Sequence, residues 1–414
     1  MSSNMMQKPL NMKNEQVWLK FGAVAELLHE TDQAIKSYEY ALRHNPYSLE
    51  ALRHIADLLL QNDKANEAIG YYNQLLNRDL DSNSKGEIWG MLGHCYLIKD
   101  DLKQAYDSYQ RALYSLKNPN DPHLWYGIGK MYDRYGSYDN AKKAFVSVLD
   151  YEPTFEKANE IYFRLGIIYK EQGEFDTSLE CFKYILTCPP TPLTEIDIWF
   201  QIGRVYEQQK KFSLAKEAFE KVKAANPKHA KVLQHLGWLY HQPNTDFTSQ
   251  DEAIRYLKSS LQSDSKDAQT WYQLGRCYMA QSKHNEAYDA YQQAVFRDGK
   301  DPRFWCSIGV LYFQISQYRD ALDAYHKAIQ LNPNISEVWF NLGTLYEKCN
   351  NQIKDAIDAY QKALELNPNE IMFKQRIQQL RKIQAQGGSQ SMSNQLPVPQ
   401  EMNSNYYNST YKVK

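Results

Sequence analysis

The sequence predicts an all-α solenoid of about ten helical hairpins, and three observations carry that prediction. A tryptophan or another large apolar residue returns ten times at intervals of 34 to 38 residues; a glycine follows four residues later in nine of the ten copies; and an alanine or serine follows twelve to sixteen residues after that. Such a period marks an array of small supersecondary units, none of which can bury its apolar face alone.

The register is set on FWCSIGVLYFQISQYRDALDAYHKAIQLNPN, with Trp305 taken as repeat position 4. Position 4 then reads Trp18, Leu52, Trp89, Trp125, Tyr162, Trp199, Leu233, Trp271, Trp305 and Trp339, which places seven of the eight tryptophans. Positions 4, 7, 8 and 11 share one face of a first helix, and positions 20, 24 and 27 share one face of a second. Glycine at position 8, replaced only by Ala56, sits where a helix normally avoids it at about 1 kcal/mol relative to alanine. Something must therefore pass too close for a larger side chain. The expected neighbour is position 20, a small residue throughout: Ala34, Ala68, Ala105, Ala141, Ser178, Ala215, Ala253, Ala287, Ala321 and Ala356. Proline at position 32, as Pro46, Pro153, Pro190, Pro227, Pro333 and Pro368, is expected to end the second helix.

The domain reading follows from where this pattern starts and stops. Residues 1–14 read as an N-terminal extension, 15–369 as ten repeats, 370–386 as a capping helix and 387–414 as a disordered tail. The seventh repeat carries HQPNTDFTSQD between its helices and the tenth carries CNNQIKD, four residues and one residue longer than usual. Both are expected to be loops at one edge of the solenoid. In the capping segment Phe373, Ile377 and Leu380 share one helical face.

Composition excludes several function classes. A formal net charge of −1 gives no global field toward nucleic acid or anionic membrane. The N-terminal segment has no apolar signal region and no run reaches membrane-helix length, which reads as a soluble intracellular protein. The six cysteines form no C-x-x-C pair, as expected of free thiols in a reducing compartment.

Catalytic chemistry is likewise not expected. Gly127, Gly129 and Lys130 in YGIGKMY lack the phosphate-loop pattern around them, and His235 and His241 stand six apart, off the spacing of a helical metal pair. Neither G-x-S-x-G nor H-E-x-x-H occurs. No enzyme activity, cofactor or metal is expected. The NST sequon at Asn408 and the basic pairs Lys142-Lys143 and Lys210-Lys211 read as chance and as solvated helix faces.

The recurring W-x2-L-G-x2-Y, small residue, aromatic, small residue, proline pattern resembles the tetratricopeptide repeat. That resemblance implies a right-handed superhelix whose first helices line a concave groove, with positions 2, 5, 9, 12 and 13 facing it. At position 5 the aromatics Tyr126, Phe163, Phe200, Tyr272 and Phe340 are either anchors for a bound peptide or packing between adjacent first helices. Position 9 adds Lys130, Arg204, Arg276 and Trp238, a mixture suited to an acidic or amphipathic peptide. Trp238 is either a binding hot spot or a residue half-covered by the long seventh-repeat loop. No repeat has the Lys-5 and Asn-9 pair of chaperone carboxylate clamps, and position 6 lacks the asparagine ladder of O-linked N-acetylglucosamine transferases.

Residues outside the motif narrow the resemblance. LQHLGWLYHQPNTDF, CSIGVLYFQISQYRDAL and the insertion in CNNQIKDAI are similar to the repeat subunits of general transcriptional corepressors that pair with the WD-repeat protein Tup, and more distantly to the repeat region of the lysine demethylase UTX. The resemblance implies a nuclear scaffold joining a Tup-like WD-repeat corepressor to sequence-specific DNA-binding repressors. Its association with chromatin would be indirect, with no direct nucleic-acid or membrane contact. The first three repeats, with Leu19, Arg53, Asp57 and His94, would hold the Tup-like partner. The alternatives are a scaffold subunit of a mitotic ubiquitin-ligase complex and the targeting region of a larger chromatin-modifying enzyme. The family's long Gln- and Pro-rich extensions are not matched by this tail.

Overall fold

In the computed structural model, which describes residues 2–243, 245–350, 352–385 and 397–399, every regular element among those residues is a helix. The chain divides into two compact units, Met1–Thr191 and Pro192–Lys414. The first unit holds five hairpins: α1 (Ser2–Leu27) with α2 (Thr31–His44), α3 (Leu49–Gln61) with α4 (Ala65–Leu76), α5 (Ser82–Ile98) with α6 (Leu102–Ser115), α7 (Pro122–Tyr135) with α8 (Tyr138–Tyr151), and α9 (Ala158–Gln172) with α10 (Phe175–Tyr184). The second unit begins with α11 (Glu195–Gln208) and α12 (Phe212–Ala225), then α13 (Ala230–His241) and α14 (Gln250–Ser263). It continues with α15 (Ala268–Ala280) and α16 (His284–Arg297), α17 (Pro302–Gln314) and α18 (Tyr318–Leu331), and α19 (Ser336–Asn350) and α20 (Ile353–Leu366), and ends in α21 (Ile371–Ala385). The expected extension, 1–14, is helical from Ser2 as part of α1. The expected disordered tail, 387–414, lies outside the described residues apart from 397–399.

The tight approach at position 8 differs from the expected small-on-small contact. A Cβ built on Gly309 would stand 2.5 Å from the ring of Tyr325, and one on Gly129 would stand 2.6 Å from Phe145. Gly22, Gly93, Gly166, Gly203, Gly275 and Gly343 meet Tyr38, Tyr109, Phe182, Phe219, Tyr291 and Tyr360 in the same way. The glycine is therefore required by the large residue at position 24, whose ring is pressed against the first helix. Position 20 is close as well, since Ser178 Oγ donates to the Gly166 carbonyl at 2.6 Å, but it is the lesser constraint. In the seventh repeat Leu257 takes the place of the ring against Gly237.

Two further features recur. Position 15, in the turn between the two helices, adopts a left-handed backbone at His29, Asp63, Asp100, Gly136, Gly173, Lys210, Ser282 and Ser316. The turn closes as a paired helix C-cap, with His29 N–H bonded to the Glu26 carbonyl at 2.9 Å and Glu30 N–H to the Ala25 carbonyl at 2.9 Å. Only Gly136 and Gly173 escape the cost of this conformation to an L-residue. In four repeats the indole N–H at position 4 ties down the connector from the preceding hairpin: Trp125 donates to the Pro119 carbonyl at 2.7 Å, Trp271 to Ser265 at 3.1 Å, Trp305 to Gly299 at 3.1 Å and Trp339 to Pro333 at 2.8 Å, whereas Trp199 donates to Glu195 Oε1 of its own helix at 3.0 Å. These bonds satisfy loop carbonyls and give tryptophan a use there that leucine or tyrosine lacks.

Five of the six position-32 prolines lie just past the end of a second helix. Pro190 does not, because α10 already stops at Tyr184. Pro189 and Pro190 together remove the two amide donors that would bond the Ile185 and Leu186 carbonyls, so the chain closes a turn from Cys188 N–H to the Ile185 carbonyl at 3.2 Å instead. The long seventh-repeat connection is fastened to α13: Ser249 N–H bonds the Tyr240 carbonyl at 3.0 Å, and Phe247 packs edge-on against Tyr240 at 5.4 Å.

Hairpins stack through positions 3, 7 and 10 of the first helix. In α9 these are Ile161, Leu165 and Ile168, at most 3% exposed, and they form one cluster with Val148 and Leu149 of α8. The same stripe in α21 is Phe373, Ile377 and Leu380, buried against Tyr360, Ala363 and Leu364 of α20. The capping helix is thus half of an eleventh repeat.

The glycine contact sets opposite expectations for two alanine substitutions. Gly309→Ala is expected to destabilise its unit by about 1–2 kcal/mol, because overpacking at about 1–3 kcal/mol exceeds the helix-propensity gain. Gly70→Ala, in α4 with nothing within 4 Å of the added Cβ, is expected to stabilise by up to about 1 kcal/mol. Urea denaturation of both variants measures the signs.

Candidate functional site

First helices of neighbouring hairpins touch side by side, α5 with α7, α13 with α15 and α17 with α19, so their non-stacking residues form a shared face in each unit. The position-5 aromatics divide on this face. Tyr126, Tyr272 and Phe340 are only 6%, 3% and 1% exposed. Tyr126 packs on Phe145 and Phe155, Tyr272 lies 5.0 Å from Phe304, and Phe340 stacks on Phe373 at 5.0 Å. Of the two readings open for them, packing between hairpins is what the geometry gives. Phe163 and Phe200 are half-buried and keep an open side; Phe163 meets Phe182 edge-on at 5.9 Å, while Phe200 lies between Phe219, His229 and His235.

Position 9 sits beside the hydroxyl of the position-24 tyrosine. Tyr72 Oη donates to Asp57 Oδ1 at 2.6 Å, Tyr109 Oη and His94 Nδ1 share a hydrogen bond at 2.9 Å, and Tyr360 Oη pairs with Thr344 Oγ1 at 3.1 Å. Burial pushes the His94 imidazole down to about 4, so it stands neutral at physiological pH. Gly127 is the glycine that admits it, for a Cβ there would stand 2.4 Å from His94 Cε1. Asp57 and His94, expected to meet a partner, thus have a hydrogen-bonding role inside their own hairpins. Arg53 is exposed and bonds Glu87 Oε2 at 2.9 Å, and Leu19 is half-buried in the core of the first hairpins.

The cations divide in the same way. Lys130 lies 3.8 Å from Glu160 Oε1 and 5.1 Å from the centre of the Tyr126 ring. Burial depresses the Lys130 ammonium in spite of that carboxylate. Glu160 also accepts from Tyr126 Oη at 2.5 Å and from Arg164 Nε at 3.0 Å. Burial alone would raise Glu160, but these donors and the two cations outweigh it and hold the carboxyl below its usual range. In the second unit Arg204 is half-buried and has no ion-pair partner among the described residues, Arg276 is half-buried, and Trp238 leans edge-on against Phe212 at 5.9 Å. The long loop packs Phe247 on Tyr240, and Trp238 is half-buried beside the same cluster.

One feature of this face was missed in the sequence. Position 6 of a first helix pairs with position 12 of the first helix before it: His54 with Glu26 at 3.1 Å, Arg164 with Asp133 at 2.8 Å, His235 with Glu207 at 2.8 Å, and Arg376 of α21 with Glu347, whose Nε–Oε1 distance is 2.9 Å. The signal was available as a base or histidine at position 6 following an acid at position 12 one repeat earlier. Among the described residues no group of three or more His, Cys, Asp or Glu is placed to hold a metal, and no helix is long and apolar enough to cross a membrane. The arrangement offers half-open rings and paired charges, a surface for binding an extended or helical segment.

Comparison with known proteins agrees with this geometry. Tetratricopeptide-repeat models match residues 28–86, 86–115, 122–155, 160–186, 196–229, 251–306, 302–335 and 336–370. The chain is 64% identical over 284 residues to the general transcriptional corepressor trfA of Dictyostelium discoideum, covering 69% of this chain and 20% of that protein. It is 62% identical over 284 residues to the general transcriptional corepressor ssn6 of Schizosaccharomyces pombe, covering 69% and 26%. Over 183 residues it is 70% identical to the general transcriptional corepressor CYC8 of Saccharomyces cerevisiae, covering 44% and 19%. The chain thus spans between a fifth and about a quarter of these relatives' length. A crystal structure of a tetratricopeptide repeat protein from Parabacteroides merdae superimposes with a TM-score of 0.51 at 15% identity, over 63% of this chain and 98% of that one, a likeness of fold.

The Arg376–Glu347 pair sets the attachment of the last helix. Arg376→Ala leaves the fully buried Glu347 carboxylate without its guanidinium, a change expected to cost about 3–5 kcal/mol. Hydrogen exchange should accelerate in α21 and leave the first unit unchanged.

Proposed function

The chain belongs to the tetratricopeptide-repeat family, and from that premise we propose that it is a non-enzymatic scaffold of a transcriptional corepressor complex in the nucleus. The supporting observation is the level of identity to the three corepressors. The repeat motif itself specifies only about eight positions in each repeat. Identity above 60% over 284 residues therefore extends to residues that the fold does not demand. In a repeat array those additional residues are the ones free to meet partners.

The finer reading is that first-helix faces hold a Tup-like WD-repeat corepressor and sequence-specific DNA-binding repressors together. Two units, each with its own binding face, suit a scaffold that engages several partners, because tethering turns a second binding event into an intramolecular one. Contact with DNA would pass through the bound repressors, in keeping with a net charge of −1. Within the faces, the half-open Phe163, Phe200, Arg204, Arg276 and Trp238 are the contacts this reading uses. Tyr126, Tyr272 and Phe340 support the walls.

Affinity purification of the tagged protein from its own cells, followed by mass spectrometry, tests the reading. The expected result is a WD-repeat protein with an N-terminal helical region, accompanied by DNA-binding factors. Recovery of ubiquitin-ligase components without such a protein would overturn it. For a partner bound at the second unit, Trp238→Ala is expected to lower affinity by at least ~2 kcal/mol, about thirtyfold, with helical content unchanged.

A further inference from the structure

The stacking stripe at positions 3, 7 and 10 is buried wherever a hairpin of the same unit precedes it. Ala51, Ile55 and Leu58 of α3 are 0%, 0% and 5% exposed, and Phe304, Ile308 and Leu311 of α17 are 1%, 5% and 1% exposed. In α1 the same positions are Val17, Phe21 and Val24, and they are 49%, 58% and 53% exposed. Their chemistry is that of a stacking stripe, yet no earlier hairpin among the described residues covers them. In the second unit the last second helix, α20, is covered by the stripe of α21.

We propose that this open stripe of α1 is a docking edge for a helix from a partner protein, an amphipathic helix with acidic residues flanking its apolar face. The occupant's geometry comes from the interface already built nine times within the units, in which a second helix lays its positions 24, 27 and 28 over the stripe. On α21 those residues are Tyr360, Ala363 and Leu364. The occupant's charge comes from the surroundings of the stripe. Lys13 and Lys20 are exposed and stand in line with Val17 and Val24 at spacings of seven and four. The acids of α1 are directed elsewhere: Glu15 accepts from Asn45 Nδ2 at 2.9 Å and Glu26 meets His54 at 3.1 Å. A second copy of the chain is disfavoured by the same cations, since α1 against α1 sets lysines into the seam with no acid to meet them. The edge is distinct from the first-helix face, and its occupant is fixed by repeat geometry whether or not the corepressor reading holds.

The test uses the full chain and a fluorescent peptide with the sequence of α20, Ile353–Leu366, held helical by a hydrocarbon staple on its solvent side. That peptide carries the covering residues together with Asp355, Asp358 and Glu365. Fluorescence anisotropy is expected to show saturable binding that weakens at least about tenfold in a Val17→Asp, Phe21→Asp double variant and several-fold in Lys20→Glu. Both variants change side chains already exposed, so circular dichroism should be unaltered. Tyr114→Asp, an exposed ring elsewhere, should leave binding unchanged. Equal binding by the wild type and the double variant, or none that saturates, would sink the proposal. So would a wild-type dimer in sedimentation that Phe21→Asp converts to monomer, which assigns the stripe to a second copy. The partners recovered in affinity purification test the corepressor reading separately.

Discussion

Everything in this protein depends on a ring lying on a glycine. Within nearly every hairpin the large side chain at position 24 is pressed onto the first-helix backbone at position 8, and the two helices can cross so closely because no Cβ stands between them. That contact fixes the rotation of each second helix about its axis. Rotation in turn decides which residues face the next hairpin and which face outward. A single glycine per repeat, costing about 1 kcal/mol of helix propensity, thus positions some thirty other residues.

The contact also accounts for the residues around it. Because the tyrosine ring is buried, its hydroxyl needs a partner, and position 9 of the same hairpin provides Asp57, His94 or Thr344. Where position 24 is phenylalanine, as in Phe145 and Phe219, no hydroxyl has to be met, and position 9 carries Lys130, which turns to Glu160 of the next first helix, or the half-buried Arg204. The identity of the ring therefore decides whether position 9 has a buried hydroxyl to meet. Tyr325 shows the cost of mismatch: Val310 stands at position 9, and the phenolic oxygen is buried without a hydrogen bond.

The fold could be read in the sequence because its determinants recur in register, and ten repetitions of Trp, Gly and Ala outweigh any local ambiguity. What escaped was the contact's partner. Position 20 is small in every repeat and so matched the idea of small facing small, whereas the structure sets a large ring in that space. The left-handed turn at position 15 also escaped, since only Gly136 and Gly173 advertise it and His29, Asp63 and Lys210 do not. On the candidate face the pairing of position 6 with position 12 exists only between repeats, so no single position's run of residues displays it. Position 5 was ambiguous for a physical reason: an aromatic there serves equally to cover the next hairpin, as Phe340 does, or to stay half-open, as Phe200 does.

These rules separate the parts of the surface that can vary from those that cannot. Motif positions are consumed by the ring, the indole cap and the stacking stripe, so a change at any of them is felt as lost stability. Charges on the first-helix face are consumed in part as well, since Arg164, His235 and Arg376 each meet an acid of the neighbouring helix. Recognition is left to the residues that none of these contacts uses. In the second unit that means half-open rings beside cations such as Arg204, a combination that favours an apolar segment carrying negative charge. Specificity in such a protein is therefore set by which repeats keep a ring and a cation of the first helix half-open together, as Phe200 and Arg204 are in the sixth repeat.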